Sequence, residues 1–287
     1  MGKLQPRDDF SKKHFVDVGD VKVCYRTVGV GPAVALFHGY PLSGRTWRKV
    51  VPELSKHFTC YAFDAVGLGH STSRHASDHS SQGQARAFRG ALSALGISSY
   101  SLIGNDSGGW IARELALLEP TCVEHLILTN TEIPGHRPPW VGWYQLLARL
   151  PGAGLMFRLM ILSRRWRHSG AGFGGCFDDL ELSEGEFAEE FLLPLLLNHD
   201  RMCRALRFLT NMKFSRVDQF KNFHQNLSMP VAFVWGAADP TFPEEQAREM
   251  ASQFPNVIGF RSIPKGKLFM HDEFSEAVVR AILEFLM

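Results

Sequence analysis

The sequence predicts an α/β fold in which a mostly parallel central sheet is flanked by helices and carries an inserted helical segment. Three observations support this prediction. Short β-branched or apolar runs alternate with helix-like stretches. The run 33–37 is apolar throughout, as in a strand buried on both faces. The alternation stops after residue 132 and resumes after residue 228. Strands that alternate with helices need crossover connections and therefore pair in parallel.

The elements follow in chain order. The first two strands are joined by Gly19-Asp20, a pair typical of a two-residue hairpin turn. The predicted strands are 15–18, 21–28, 33–37, 58–63, 100–103, 124–128, 231–235 and 259–263, and the predicted helices are 47–56, 84–95, 110–118, 244–253 and 272–286.

The middle of the chain has a different pattern. Residues 133–228 are helical and irregular, interrupted by Pro138-Pro139 and by several glycines. We therefore predict a core of residues 1–132 and 229–287 that carries a helical cap of residues 133–228.

Composition argues against several classes of protein. The 287 residues are 45% hydrophobic with a formal net charge of +2, so no strongly basic surface indicates nucleic acid. The five cysteines form no CxxC pair, which favours reduced thiols over a zinc site. Residues 1–9 lack the apolar core of a signal peptide, and the longest apolar run, 191–197, is too short to span a bilayer. We expect a cytoplasmic protein with a small-molecule substrate, no metal or other cofactor, and no nucleic-acid or membrane partner; the sequence leaves the oligomeric state open.

One hexapeptide carries most of the functional information. Gly-Asn-Asp-Ser-Gly-Gly, at 104–109, lies between an apolar run and a helix-like stretch. This is the context of a nucleophile elbow, where small residues two before and two after the nucleophile allow a sharp turn. Gly104 and Gly108 hold those positions, so Asp106 is presented at the tip. If Ser107 were the nucleophile, Asn105 would occupy a position that needs a small residue.

Four motifs lie, in this order, at the ends of predicted strands: HGYP at 38–41, DAVGLGHS at 64–71, GNDSGG at 104–109 and WGAADP at 235–240. Together they resemble the α/β-hydrolase superfamily over nearly the whole chain. Asp106 makes the chain similar to the branch that contains haloalkane dehalogenases, haloacetate dehalogenases and epoxide hydrolases. The DAVGLGHS loop is interpreted as structural, because its glycines indicate a tight turn.

The resemblance implies a covalent mechanism. Asp106 would displace a leaving group from a saturated carbon to give an ester, since a carboxylate is ionised at neutral pH without help from a base. Asp239 matches the family's acid, and Glu132 is a possible substitute. The backbone around His38, Gly39 and Tyr40, with the N–H of Ser107, would bind the developing negative charge.

The family's histidine base is missing from its expected position. Aligning Phe269 and Glu273 with the family pattern places Lys267-Leu268 where Gly-His is usual. Leu268 cannot accept a proton. His271 is the nearest alternative base, and it is equally typical of a solvated helix start.

The cluster 140–144 contains the candidate pocket residues Trp140, Trp143 and Tyr144. An indole N–H from this cluster could bind a halide, or Tyr144 could protonate an opening epoxide. The same aromatics are equally consistent with a hydrophobic anchor for the cap.

Three functional hypotheses remain at this point. The first is a hydrolase with an Asp106 ester intermediate. The second is a binder of small apolar ligands without turnover, motivated by Leu268. The third is an esterase that uses Ser107.

Overall fold

The computed structural model describes residues 10–74 and 77–287. The first nine residues, on which the absence of a signal peptide was predicted, lie outside this range. Within it the chain forms one nine-stranded sheet in the order β1-β2-β4-β3-β6-β7-β8-β9, and β5 pairs with β2. The pairs β1–β2, β2–β4 and β2–β5 are antiparallel and the others are parallel. The strands are β1 His14–Val18, β2 Val21–Val28, β3 Ala33–Phe37, β4 Thr59–Phe63, β5 Thr72–Ser73, β6 Tyr100–Asn105, β7 Val123–Thr129, β8 Val231–Gly236 and β9 Val257–Ile263.

The helices lie on both faces of this sheet and in the segment between β7 and β8. They are α1 Val51–Leu54, α2 Ser81–Ala94, α3 Ser107–Leu118, α4 Val141–Leu147, α5 Ala153–Leu162, α6 Arg164–Arg167, α7 Gly185–Phe187, α8 Leu193–Leu197, α9 His199–Asn211, α10 Phe214–Phe223, α11 Glu244–Ala251, α12 Met270–Glu273 and α13 Ser275–Leu286. Helices α4 to α10 all fall within 133–228, the segment that the sequence assigns to the cap. No helix of the described residues is long and apolar enough to cross a membrane.

Two hydrophobic cores hold the layers together. One contains side chains of α2, α3 and the cap, among them Phe88, Leu115 and Phe220. The other contains side chains of α1 and α13, among them Leu54 and Ile282. Strands β6 and β8 are buried at every position, which explains why their sequences show no polar alternation.

An aromatic cluster joins the cap to the core. The rings of Phe177 and Phe187 from the cap pack on Phe269 with centroid distances of 5.6 and 5.8 Å. Because Phe269 directly follows Leu268, this cluster fixes the segment after β9 against the cap.

Strand register brings the ends of four strands together. Phe37 of β3 pairs with Gly104 of β6, and Asn105 of β6 pairs with Thr129 of β7. Thr129 in turn pairs with Val234 of β8. The loops that follow these parallel strands therefore meet at one edge of the sheet, where α/β proteins usually bind their ligands.

The predicted strands are present with ends shifted by no more than two residues, and β5 was not predicted. Two predicted helices are broken. The stretch 47–56 is a 3-10 turn, Gly44–Lys49, followed by α1, in which Pro52 is accommodated in the first turn. The stretch 272–286 is divided between α12 and α13, and Phe274 leaves the helical conformation between them.

Candidate active site

Asp106 lies in a sharp turn between β6 and α3. Its φ of 50° and ψ of −133° are unusual for a residue other than glycine. Such backbone strain costs about 1–3 kcal/mol and persists only where the surroundings enforce it. The flanking glycines enforce it through close packing. A Cβ at Gly104 would lie 2.5 Å from the Cα of Gly109, and one at Gly108 would lie 2.3 Å from the carbonyl oxygen of Phe37.

A backbone N–H group holds one oxygen of the Asp106 carboxylate. The N–H of Tyr40 donates to Oδ2 over 2.8 Å, and the nearby backbone of Ser107 also favours the ionised carboxylate. Gly39 makes this approach possible, because a Cβ there would lie 2.7 Å from Oδ2. Since Oδ2 is engaged, Oδ1 is the oxygen available to a bound molecule.

His38 supports this loop from beneath. Its Nε2 accepts a hydrogen bond from the N–H of Ala65, and its Nδ1 donates to the carbonyl oxygen of Gly39, each over 2.8 Å. Burial lowers the pKa of His38, so the ring is neutral. Both ring nitrogens form hydrogen bonds, so neither is available to a ligand. His38 contributes to the site by fixing the position of the Gly39-Tyr40 backbone.

A mainly apolar cavity of about 170 Å³ lies between the sheet edge and the cap. Its polar side chains include Asp106, Glu132 and Tyr40 from the core. Its apolar lining includes Phe157, Ile161, Trp166, Leu195, Met202, Leu209, Met212, Phe214, Phe242, Leu268 and Phe269. Cys176 also lines the cavity, but burial raises the pKa of its thiol well above the usual range, which removes it as a thiolate nucleophile.

Glu132 places a second carboxylate in this cavity. The side chain is 1% exposed, and Oε2 lies 2.9 Å from the hydroxyl of Thr131. Across residues 10–74 and 77–287, Oε1 has no hydrogen-bond partner. A buried carboxylate oxygen without a donor is uncommon in proteins and suggests a role for the group.

The two carboxylates influence each other's ionisation. Burial, and then the negative charge of Glu132, hold the pKa of Asp106 well above its usual range. Burial also raises the pKa of Glu132, but the charge of Arg113 opposes this rise. Because only Glu132 has such a nearby positive charge, it loses its proton before Asp106 does.

Arg113 of α3 stands behind the pair. It is fully buried, and its Nη2 donates to the carbonyl oxygen of Glu132 over 2.8 Å. The guanidinium lies 4.7 Å from the ring of Phe220. It forms no direct ion pair with a carboxylate of the described residues, and its charge is balanced mainly at a distance by Glu132 and Glu114.

Asp239 is close to the site but does not line the cavity. Its Oδ2 accepts a hydrogen bond from Nδ2 of Asn130 over 2.7 Å, and its Oδ1 accepts one from the N–H of Thr241 over 2.8 Å. Burial raises the pKa of Asp239 to about 7 in spite of these donors. Asn130 connects Asp239 to the elbow, because its carbonyl oxygen accepts from the N–H of Asp106 over 2.8 Å.

Leu268 occupies the position that the resemblance assigns to histidine. Its side chain lines the cavity with Asp106, and its carbonyl oxygen accepts a hydrogen bond from Nδ2 of Asn105 over 3.0 Å. At position 268 the cavity therefore presents an apolar side chain to Asp106.

His271 does not reach the cavity, and its interpretation as the base needs correction. Its Nε2 lies 2.7 Å from the hydroxyl of Thr46, and its ring packs on Trp47 with a centroid distance of 4.7 Å. Burial lowers the pKa of His271 to about 4, so it is a neutral core side chain. The ring turns away from the cavity and packs beside Trp47, in the core that contains α1 and α13.

The cap aromatics divide between cavity and surface. Trp140 and Tyr144 line the cavity, and the Tyr144 hydroxyl donates to the carbonyl oxygen of Ala171. Trp143 does not line it and is 62% exposed. The Ser107 hydroxyl is buried, borders a separate small void with Trp110, and does not line the main cavity.

Sequence reasoning missed the position of Glu132 in the cavity and the contribution of Arg113 behind it. The sequence contains a signal for Glu132, since it follows β7 as Asp106 follows β6. The sequence contains no comparable signal for Arg113, because an arginine within a predicted helix is an ordinary helix residue. Cys24, Asp64 and His70 also lie close enough to suggest a metal site, with ligand atoms within 4.8 Å. In this cluster Arg26 forms an ion pair with Asp64 over 2.8 Å, so the guanidinium already balances the carboxylate charge that a metal ion would balance.

Comparisons with known proteins agree with this architecture. A family model described as the alpha/beta hydrolase fold matches residues 32–158. A fluoroacetate dehalogenase from a Burkholderia species is 28% identical over 234 residues, which cover 65% of this chain and 76% of that protein. A soluble epoxide hydrolase from Corynebacterium sp. strain C12 is 34% identical over 122 residues, 42% of each chain. The solved structure of the epoxide hydrolase CorEH aligns over 96% of this chain and 98% of that one, with a TM-score of 0.79 and 21% identity, a likeness of fold.

The sheet order, the elbow and these matches identify the chain as an α/β-hydrolase-fold protein, as the sequence predicts. The relatives with named activities include a dehalogenase, epoxide hydrolases and an esterase. These relatives support a hydrolase activity for the chain.

Proposed function

We propose that the protein hydrolyses a small apolar halide or epoxide through an ester on Asp106. The observation that carries this proposal is the position of the Asp106 carboxylate. It lines a mainly apolar cavity, with Oδ2 held by the backbone N–H of Tyr40. The dehalogenase and epoxide hydrolase names of the relatives support the choice of substrate class.

In the first step, Oδ1 of ionised Asp106 attacks a saturated carbon of the substrate. A carbon–oxygen bond forms, and the electron pair of the breaking bond leaves with the halide or with the epoxide oxygen. The apolar cavity favours this step because it removes water from the attacking oxygen. This step requires ionised Asp106. Because the pKa of Asp106 is raised, we expect the rate of ester formation to increase with pH.

The second step requires water and a base. Leu268 offers no basic atom, and His271 is outside the cavity. We propose that Glu132, through its unpaired Oε1, takes a proton from a water molecule as that water attacks the ester carbonyl carbon. Negative charge then develops on Oδ2, where the N–H groups of Tyr40 and Ser107 stabilise it. Collapse of this intermediate expels the product alkoxide, which takes the proton from Glu132 and leaves as an alcohol. Asp106 is left as a carboxylic acid and releases its proton to solvent or, with an epoxide substrate, to the oxygen that opened in the first step, which gives a diol.

Intact-protein mass spectrometry after incubation with a panel of short haloalkanes and epoxides tests the first step. We expect an adduct that maps to Asp106, absent in Asp106→Asn and retained in the matched variant Ser107→Ala. Failure to detect adduct or product across the panel with folded protein would contradict the proposal. Labelling that is lost in Ser107→Ala would instead support the esterase hypothesis.

The role of Glu132 has a separate readout. Glu132→Gln keeps the size of the side chain but cannot accept a proton, so we expect the Asp106 ester to persist. General base catalysis typically contributes about 10²- to 10⁴-fold, and ester hydrolysis should slow by that order. Rapid hydrolysis in Glu132→Gln would eliminate Glu132 as the base.

One observation favours a second candidate, a protein that reacts once or only binds its ligand. Leu268 fills the cavity position where the resemblance implies a histidine. This candidate predicts stoichiometric adduct or tight binding without further product. Product in excess of enzyme over several turnovers would exclude it.

A further inference from the structure

Exposed apolar side chains are concentrated on one part of the cap. Seven of the fifteen large hydrophobic side chains that are exposed in the described residues lie between positions 140 and 162. Trp143 is 62% exposed and Leu155 65%. We call this surface the cap face; it consists of Trp140, Trp143, Leu146, Leu150, Leu155, Leu159 and Leu162. Apolar patches of this kind on a monomer usually mark an interaction surface.

Helical spacing arranges these side chains in continuous stripes. On α5, Leu155, Leu159 and Leu162 follow one another at the i, i+4 and i+7 positions of one helix face. The opposite face of α5 buries Phe157 and Ile161, which line the cavity. Helix α4 contacts α5 through the rings of Tyr144 and Phe157, whose centroids are 5.9 Å apart. Helices α4 and α5 also both pack on α9. We infer that their exposed stripes face outward on the same side of the cap, away from the cavity that Tyr144 and Phe157 line.

The segment that carries the cap face contains basic but no acidic residues. Residues 133–177 contain six arginines and no aspartate or glutamate. Three of these arginines form ion pairs: Arg137 with Asp218, Arg164 with Glu181, and Arg167 with Glu184. The other three, Arg149, Arg158 and Arg165, form no ion pair with any described residue.

We propose that the cap face docks on a lipid surface that carries negatively charged headgroups. Leucine and tryptophan would enter the acyl boundary while the three unpaired arginines contact the headgroups, the arrangement of an interfacial amphipathic helix. Each basic residue near such a surface strengthens binding by about fivefold. Charge argues against a second copy of the chain as the occupant, because a two-fold interface would place the arginines of one copy against those of the other.

Docking would also place the cavity next to the lipid. Trp140 is 45% exposed on the cap face and lines the cavity with its other side. An apolar substrate dissolved in the lipid could then enter without crossing bulk water. The docking proposal depends on the surface alone and is independent of the chemistry proposed for Asp106.

Flotation of the full chain with vesicles tests this proposal. We expect binding to vesicles that mix phosphatidylglycerol with phosphatidylcholine, at least about tenfold weaker binding to phosphatidylcholine alone, and release by salt. The double variant Leu155→Gln/Leu159→Gln should bind at least about tenfold more weakly, since two apolar side chains no longer enter the lipid. Arg158→Gln/Arg165→Gln should lose the preference for the anionic vesicles.

The matched control is Val30→Gln, an exposed apolar position outside the cap, which should bind as the unmodified chain does. Circular dichroism verifies that each variant is folded. The absence of binding by the unmodified chain, or binding that the leucine substitutions leave unchanged, would overturn the proposal. So would a dimer in solution that Leu155→Gln/Leu159→Gln dissociates, because the cap face would then be a contact between copies.

Discussion

The side chain at position 268 determines which bases can reach the Asp106 ester. Leu268 lines the cavity, and its backbone is fixed by the hydrogen bond from Asn105 and by the neighbouring Phe269 cluster. A different side chain can therefore be placed here without moving the nucleophile.

Leu268→His supplies an imidazole where the resemblance implies one. We expect steady-state turnover to rise by at least about tenfold, because a positioned general base typically contributes about 10²- to 10⁴-fold. The comparison variant is Leu268→Asn, which adds polarity without a group that titrates near neutral pH. An equal gain in both variants would mean that polarity, rather than proton transfer, limits hydrolysis.

Glu132 also controls the ionisation of Asp106. Removing the negative charge in Glu132→Gln should lower the raised pKa of Asp106, so adduct formation should persist to lower pH. We expect the midpoint of the pH–rate profile for adduct formation, measured in single turnovers, to fall by about one unit or more, about 1.4 kcal/mol. Glu132→Asp, which retains the charge, should keep the original midpoint. A profile that stays unchanged in Glu132→Gln would show that the two groups titrate independently.

At the scale of elements, the loop after β3 and the start of α3 are packed so closely that only glycine fits between them. In Gly39→Ala the new Cβ would lie 2.6 Å from the Cβ of Asp106. We expect a loss of about 1–3 kcal/mol in unfolding free energy and slower adduct formation, because overpacking displaces the carboxylate. Urea unfolding and single-turnover rates measure the two effects.

Gly142 in α4 provides the matched alanine substitution. Nothing lies within 4 Å of a Cβ there, and alanine is favoured over glycine in a helix by up to about 1 kcal/mol. Gly142→Ala should therefore be neutral or stabilising. Equal losses in both variants would contradict the packing argument.

A second element, the loop after β4, depends on a buried ion pair. Asp64 accepts hydrogen bonds from Arg26 and from the N–H groups of Gly44 and His70, each over 2.8 Å. Burial would raise the pKa of Asp64, but His70 and Arg26 hold it well below the usual range. A carboxylate with a depressed pKa contributes stability above its unfolded-state pKa, and this is lost as the pH falls through the folded-state value.

Asp64→Asn tests this contribution. It leaves Arg26 buried without its partner, so we expect a loss of about 3–5 kcal/mol at neutral pH. The loss, measured by urea unfolding, should diminish as the pH is lowered toward 3. A loss that does not depend on pH would assign the effect to packing.

At the scale of the whole molecule, the candidate site lowers stability as the pH rises. Asp106, Glu132 and Asp239 all have raised pKa values, and such groups contribute stability at low pH that is lost as they ionise in the folded protein. Asp106→Asn removes one of these charges while keeping the acceptor for Tyr40. We expect its melting temperature to exceed that of the unmodified chain, by an amount that grows from pH 5 to pH 9.

Each kcal/mol corresponds to about 2–4 °C for a chain somewhat shorter than this one. Ser107→Ala should show no such pH dependence. A melting difference that is constant or decreases with pH would contradict the raised pKa of Asp106.

The predictability of this molecule differs between its parts. Strand β8 was predictable because it is buried on both faces and carries no polar side chain. The turn at Asp106 was predictable from Gly104 and Gly108, since few other residues permit that backbone. The side-chain direction of His271 was not, because its contacts with Thr46 and Trp47 come from a distant part of the sequence. The exposure of the cap leucines was also hidden, because an apolar helix shows no polar face from which its solvent side could be read.

The contacts that shape the elbow are made by glycines and main-chain atoms. The Asp106 N–H donates to the carbonyl oxygen of Asn130, and the Asp106 carbonyl oxygen lies 2.8 Å from the Thr131 hydroxyl. None of these contacts uses the carboxylate. The side chain at this position can therefore be exchanged while the turn is retained. A serine there would present a hydroxyl in the same place, but acyl transfer would also need a base beside it. Within one scaffold, two replacements, at positions 106 and 268, therefore separate substitution at saturated carbon from acyl transfer.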